Sequence, residues 1–197
     1  ADDFSGFSGA YKNMLYLQKE VIRKSDAVLV SAKNLVDIAY KENKNVLYLP
    51  NGVDITRFNN SSNNEIPKEY ENINGPKVVY VGAIEDWFDY NLILNTAKKL
   101  KDISFIMVGN KSAKSEEIFK GQSNIHLLGK KTHDEIVSYL HYADIGIMPL
   151  IDNKLTNSIH PLKLYEYFAA GLPVISRDLE EVREMKSPAL LYSNENQ

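Results

Sequence analysis

The sequence has no cysteine among its 197 residues. Disulfide frameworks, zinc ribbons and thiol catalysis are therefore excluded, and a reducing compartment is compatible with the chain. No apolar run approaches the roughly 18 residues that a membrane span requires. The start, Ala1-Asp2-Asp3-Phe4, is acidic and lacks the basic and apolar regions of a signal peptide. It also lacks an initiator Met, so a beginning further upstream is expected. An excess of positive charge is missing too: 23 Lys and Arg face 26 Asp and Glu, a net charge of −3. Such a surface suits a nucleic-acid partner poorly, because that affinity depends on many phosphate-neutralising cations. No repeat with a period of 20–50 residues is found, and low complexity is confined to Asn59-Asn60-Ser61-Ser62-Asn63-Asn64. Several catalytic signatures are absent as well. His126, His133, His141 and His160 show no metal-ligand spacing, so no metal is expected. Lys111 and Lys114 follow Gly109 without the Gly-x4-Gly-Lys pattern of a phosphate loop. No Gly-x-Ser-x-Gly elbow marks a serine hydrolase.

What is present is ordinary globular material, with 44% apolar and 25% charged residues. Surface scaling for a chain of this mass buries about 70% of the unfolded area, enough for a full core. Short apolar runs recur at 27–30, 46–49, 78–81, 103–108, 125–128, 145–148 and 173–175. They are too short for core helices, several are β-branched, and their continuous apolarity suits strands covered on both faces. Between them lie helical signals. Residues 11–24 carry Met14, Leu15, Leu17, Val21 and Ile22 at three-to-four spacing, and residues 90–101 carry Leu92, Ile93, Ala97 and Leu100. Thr132 with Glu135 fits a capping box, Pro161 suits a first helical turn, and Gly171 before Pro173 is a stop. Asp178 with Glu181 is expected to cap a further short helix. Strand–helix alternation demands parallel pairing with right-handed crossovers. The fold class is α/β, a Rossmann-like doubly wound parallel sheet. The Pro- and Gly-punctuated polar stretch 51–76 reads as a linker between a remnant at 1–50 and an α/β unit at 77–197. Two strands and two helices are a poor domain alone, so the first segment reads as the tail of a domain that begins upstream.

In a parallel sheet, ligands bind outside the carboxyl ends of the strands. Gly82, Gly109 and Gly129 each follow an apolar run directly, where bare backbone allows a ligand close approach. Turn glycines occur at such exits for structural reasons as well. The densest segment runs from Asn157 to Val174. There a loop enters a helix whose N-terminal N–H groups attract anions. His160 stands at the entry, Lys163 one turn in, and Glu166 three residues further on the same face. One reading is an anion site backed by a carboxylate that accepts two hydrogen bonds from a vicinal diol. The other is a solvated Lys163–Glu166 ion pair with His160 as a cap.

Glu166 through Val174, read E-Y-F-A-A-G-L-P-V, resembles the nucleotide-sugar signature of retaining GT-B glycosyltransferases of the large group 1 (family 4) set. Other pieces resemble the same family in order along residues 26–176. They are Pro50-Asn51-Gly52-Val53-Asp54 with Phe58, Val81-Gly82, Val108-Gly109, and Ile125 to Gly129 with the capped helix and Ala143-Asp144-Ile145 after it. The resemblance implies the C-terminal half of a GT-B fold, with residues 1–50 left from the N-terminal, acceptor-side domain and residues 77–197 truncated at the C-terminal end. It implies a hexosyltransferase that moves a sugar from a nucleoside diphosphate sugar to a cell-surface glycan or lipid-linked acceptor. It implies no cofactor or metal, and a cytoplasmic location that extends to the inner face of the membrane. Carried over by residue, Glu166 would bind the ribose hydroxyls, His160 to Lys163 would face the diphosphate or donor sugar, and Gly82 would allow close approach of the phosphates or sugar, with Gly109 a further substrate-binding candidate. Ser158 stands where the family's first glutamate is found, and Ala83 to Asp89 lack the usual Arg and Lys, which leaves more of the charge to Lys163. Asp86 and Asp89 are three apart and make no Asp-x-Asp metal motif. Catalytic residues are expected in the missing half, so the chain alone should not turn over. Two alternatives stay open: a nucleotide-sugar 2-epimerase of the same architecture, and a non-catalytic nucleotide-binding or assembly module.

Overall fold

A computed structural model describes residues 13–59 and 65–194. Expectations for residues 11–12 and 60–64 lie outside the described residues. The first elements are α1 (Met14–Lys24), β1 (Val28–Val30), α2 (Lys33–Tyr40), β2 (Val46–Tyr48) and α3 (Ile55–Asn59). Next come β3 (Lys77–Val81), α4 (Tyr90–Lys99), β4 (Ser104–Val108), α5 (Ala113–Ile118), β5 (Ile125–Gly129) and α6 (His133–His141). The last are β6 (Ile145–Met148), α7 (Leu162–Ala169), β7 (Val174–Arg177), α8 (Glu180–Glu184) and β8 (Leu190–Tyr192). Every apolar run singled out in the sequence becomes a strand. The sequence reading missed α3, which lies in the stretch read as a linker, α5, and β8, a three-residue strand too short to show a period.

The chain divides into two compact units. The first comprises Ala1–Gly52, Asp152–Leu162 and Leu179–Ser187; the second comprises Val53–Ile151, Lys163–Asp178 and Pro188–Gln197. The first change of unit falls between Gly52 and Val53. The two later segments of the first unit were not expected there, because hydrogen bonds between distant segments leave no local pattern. Within that unit β1 and β2 pair in parallel, and Ile22, Val28, Val30, Ala32, Leu35 and Ala39 form the core. Asn43 donates to the carbonyls of Ile22 and Ser25, which satisfies backbone groups at the end of α1. The Lys33 N–H donates to Glu181 Oε2 at 3.1 Å, and Asn34 Nδ2 donates to the Asn157 carbonyl at 2.6 Å. The cap position of α8 is Leu179 rather than Asp178, and the Glu180 N–H donates to Asn157 Oδ1 instead.

The second unit holds a parallel sheet of order β5-β4-β3-β6-β7-β8. Strand order reverses at β3, so the switch point where such sheets open a crevice lies between β3 and β6. The central strands β3 and β4 are buried almost throughout, as their continuous apolarity requires. β3 and β6 pair only at Val78 with Ile145 and Val79 with Gly146. Beyond that point the Val81 N–H donates instead to the Tyr167 hydroxyl of α7 at 2.8 Å. Tyr167 is fully buried, and burial pushes its phenol pKa up. Gly146 makes room for it, since a Cβ there would lie 2.6 Å from the tyrosine ring. A helix element thus holds the two central strands apart at their carboxyl ends.

The stretch expected to be a linker contributes to this unit as well. Phe58, Tyr70 and Ile73 are buried, and Tyr70 meets the Tyr139 ring edge-on at 5.4 Å while donating to the Tyr139 carbonyl. The capping box of α6 forms as its sequence predicts: Thr132 Oγ1 accepts the Glu135 N–H and Glu135 Oε2 accepts the Thr132 N–H. α7 ends with Gly171 donating to Phe168 and Leu172 to Tyr167, the paired bonds of a glycine stop. Phe88 is core, packed edge-on against Tyr80, Tyr90 and Phe119.

Removing the Tyr167 hydroxyl leaves a buried N–H on β3 without its partner. Tyr167→Phe is expected to destabilise the chain by about 1–3 kcal/mol, read as a lower urea midpoint with little change in slope. An unchanged midpoint would show that the wedge contributes nothing.

Candidate functional site

The carboxyl ends of β3, β4 and β5 and the first turn of α7 surround a cavity of about 200 Å³ in the second unit. Backbone forms one wall. The Gly82 N–H donates to the Val108 carbonyl and the Gly109 N–H to the Gly129 carbonyl, both at 2.9 Å. Gly109 has φ +153°, and a Cβ on it would stand 1.9 Å from the Gly82 carbonyl oxygen. Only glycine fits where two strand exits approach this closely. Cations form the other wall: Lys130, Lys131 and Lys163 all line the cavity. Lys131 Nζ stands 2.5 Å from Glu69, whose second oxygen accepts from the Tyr139 hydroxyl at 2.7 Å. The Lys131 hydrogen bond, and then that of Tyr139, pulls the Glu69 carboxyl down to about 2. Lys131 is correspondingly pushed up by Glu69, so it stays charged over the accessible pH range.

Glu166 lies directly behind Lys163 on α7. Its side chain is 1% exposed, yet it is not sealed among hydrophobic groups. Oε2 accepts from Lys163 Nζ at 2.9 Å, and Oε1 lies 3.0 Å from His133 Nε2. A buried carboxylate requires such partners, because desolvation penalises the unpaired anion heavily. The Lys163–Glu166 pair is therefore not the solvated surface pair that sequence spacing allowed. His133 is the first residue of α6, and its Nδ1 meets Arg57 of α3. Arg57 also approaches Asp134 at 3.5 Å. Arginine can only donate, so Nδ1 accepts and the imidazole proton is assigned to Nε2, pointing at Glu166.

The six residues singled out in the sequence separate. Gly82, Gly109 and Lys163 line the cavity, with Glu166 bonded to Lys163. Ser158 and His160 belong to the first unit, and both are buried. Ser158 Oγ donates to the Lys154 carbonyl and accepts from Asn34. His160 Nδ1 lies 2.7 Å from Glu181 Oε1, with both side chains 3% exposed or less. His160 thus has a carboxylate partner 21 residues away, and its side chain is not at an open rim. The sequence reading missed Arg57, Lys130, Lys131 and His133. Lys130 and Lys131 follow Gly129, already identified as a strand exit, and His133 sits inside the recognised capping box. Nothing in the sequence connects Arg57 or His133 to Glu166, which are far apart along the chain. Among the described residues no group of three or more His, Asp or Glu side chains is placed to hold a metal ion. Nor is any described helix long and apolar enough to cross a membrane.

A family model described as "Glycosyl transferases group 1" matches residues 75–196. TuaH of Bacillus subtilis, named for a glycosyltransferase of teichuronic acid biosynthesis, is 27% identical over 177 residues, covering 85% of this chain and 44% of TuaH. The fold matches that of HepE of Anabaena, solved in complex with UDP and glucose. The TM-score is 0.72 at 13% identity, over 97% of this chain and 55% of HepE. A sucrose-phosphate synthase of Thermosynechococcus elongatus also matches with TM-score 0.72, at 17% identity over 95% of this chain and 51% of that one. The chain thus spans about half the length of the proteins it resembles.

Because the Glu69 carboxyl is held below its ordinary 4.5, its contribution to stability is present above pH 4.5 and is lost as pH falls toward 2. Glu69→Gln should therefore lower the urea midpoint at pH 7, and the gap from wild type should close progressively between pH 4.5 and 2. A gap that stays constant across that range would contradict the assignment.

Proposed function

The chain belongs to the group 1 glycosyl transferases, and we propose that its strand-end cavity holds the diphosphate and ribose of a nucleoside diphosphate sugar. Its Rossmann-like sheet is that of a GT-B transferase. On this reading the whole protein transfers the sugar to a cell-surface glycan or a lipid-linked acceptor, with the other half of the enzyme supplying the acceptor side. The carrying observation is the placement of a buried carboxylate, Glu166, against a lysine that lines a glycine-walled, cationic cavity. The UDP and glucose bound by HepE support the donor class, and the teichuronic acid pathway of TuaH supports a surface polymer as product. The epimerase and module alternatives gain no support from the matching family.

Each part of the cavity has a chemical task in this scheme. Cleavage of the sugar–phosphate bond leaves negative charge on a diphosphate. Preorganised cations at a strand-end site stabilise that charge where it develops, without a metal being required. Lys130 and Lys163 are placed for this, and Lys131 adds a fixed positive field while held by Glu69. Gly82 and Gly109, required by the close approach of Tyr80 and of the two strand exits, present bare backbone to the cavity, which phosphate oxygens can approach. Glu166 accepts the two ribose hydroxyls. Lys163, on a flexible stem and 30% exposed, exchanges its place on Oε2 for a ribose hydroxyl and turns to the diphosphate.

Isothermal titration of the 197-residue chain with UDP tests the proposal. Binding is expected, and Glu166→Ala and Glu166→Gln should each weaken it at least tenfold while the circular dichroism spectrum is kept. One lost charge-assisted hydrogen bond, at about 1.5–3 kcal/mol, gives a loss of this size. UDP affinity equal in wild type and both variants would refute the role of Glu166.

A further inference from the structure

We propose that His133 is a positioning residue for this site: it fixes the orientation in which Glu166 meets the ribose, and Arg57 fixes the tautomer that allows it to do so. The inference rests on the reading of Glu166 as the diol acceptor. The Glu166 carboxylate is buried. Two partners hold it, and they differ in stiffness. Lys163 carries its charge on a four-carbon stem with rotatable donors, so it neutralises Glu166 without fixing the carboxylate plane. His133 is of another kind. It is the first residue of α6, and the reciprocal Thr132–Glu135 capping box immobilises the backbone at that point. Its imidazole reaches Glu166 Oε1 at 3.0 Å from a position set by the helix start.

The direction of that hydrogen bond is set from behind. Arg57 offers only donors, so the His133 Nδ1 that it meets must accept, and the single proton of a neutral imidazole lies on Nε2. Arg57 Nη2 also lies 3.5 Å from the exposed carboxylate of Asp134. Arg57, His133 and Glu166 therefore form a chain of donors and acceptors that ends at the buried carboxylate. Three separate segments contribute to it: α3, the start of α6, and α7. With Oε1 anchored by an N–H from a rigid helix end, the carboxylate plane is fixed before a ligand arrives. Oε2 and the free lone pairs then face one direction, and a vicinal diol can satisfy two of them at once. Such second-layer orientation is how binding carboxylates are held to the tolerance that recognition requires.

The test compares UDP with 2′,3′-dideoxy-UDP, which keeps the base and diphosphate but lacks the diol. Affinities are measured by titration for the wild-type chain and for Glu166→Ala, His133→Ala, His133→Gln and Arg57→Ala, with thermal unfolding as a fold control. Wild type should favour UDP at least tenfold. His133→Ala should reduce this preference severalfold while leaving dideoxy-UDP affinity nearly unchanged. His133→Gln should recover much of it, because its amide N–H can reach the same oxygen, and Arg57→Ala should lie in between. If His133→Ala weakens both ligands equally, or leaves the preference intact while Glu166→Ala abolishes it, His133 is not a positioning residue. If Glu166→Ala itself keeps the wild-type preference, the diol reading falls, and the role of His133 falls with it.

Discussion

A carboxylate almost completely removed from water, yet met by two nitrogen donors, is the point on which the candidate site turns. Glu166 would be costly in the interior of the second unit without Lys163 and His133. With them it becomes a fixed acceptor at the edge of a cationic cavity. A residue that served only to stabilise the fold would be replaced at little cost by an apolar side chain of similar volume. The arrangement makes physical sense if the carboxylate must meet a ligand's hydroxyls.

The sheet makes that position possible. Strand order reverses at β3, and the Tyr167 hydroxyl takes the Val81 N–H where β3 and β6 stop pairing. Tyr167 is the next residue after Glu166, so the hydroxyl that meets β3 and the buried carboxylate are fixed by one turn of α7. Gly146 admits the tyrosine ring from one side, and Gly109 lets two strand exits touch on the other. Packing and binding are thus coupled through a few adjacent positions. The cationic wall is arranged in the same economical manner, since Lys131 is tied to Glu69 and Tyr139 while Lys163 pairs with the site's own acceptor.

Much of this was legible in the sequence because it is local. The apolar runs between 78 and 175 became strands, the Thr132–Glu135 box and the Gly171 stop appeared where their residues required, and the i,i+3 spacing of Lys163 and Glu166 brought those side chains together while leaving open whether the pair is solvated. Glycines after apolar runs marked the strand exits correctly at Gly82 and Gly109. What stayed hidden depends on contacts across the chain. His160 read as part of an anion site or as a cap at the helix start, and Glu181 takes its Nδ1 within the first unit. Ser158 is likewise engaged with Asn34 and Lys154. The polar stretch after residue 50 looked like a linker, although Phe58, Tyr70 and Ile73 are core residues. Arg57 and His133 carry no local signature, because their relation to Glu166 exists only after folding.

The most direct test of this account is a crystal structure of the chain with UDP bound. Both ribose hydroxyls should lie within about 3 Å of the Glu166 carboxylate, with Lys163 turned to the diphosphate beside Gly82 and Gly109. Density that places the ribose elsewhere, with Glu166 still closed by Lys163 and His133, would contradict it.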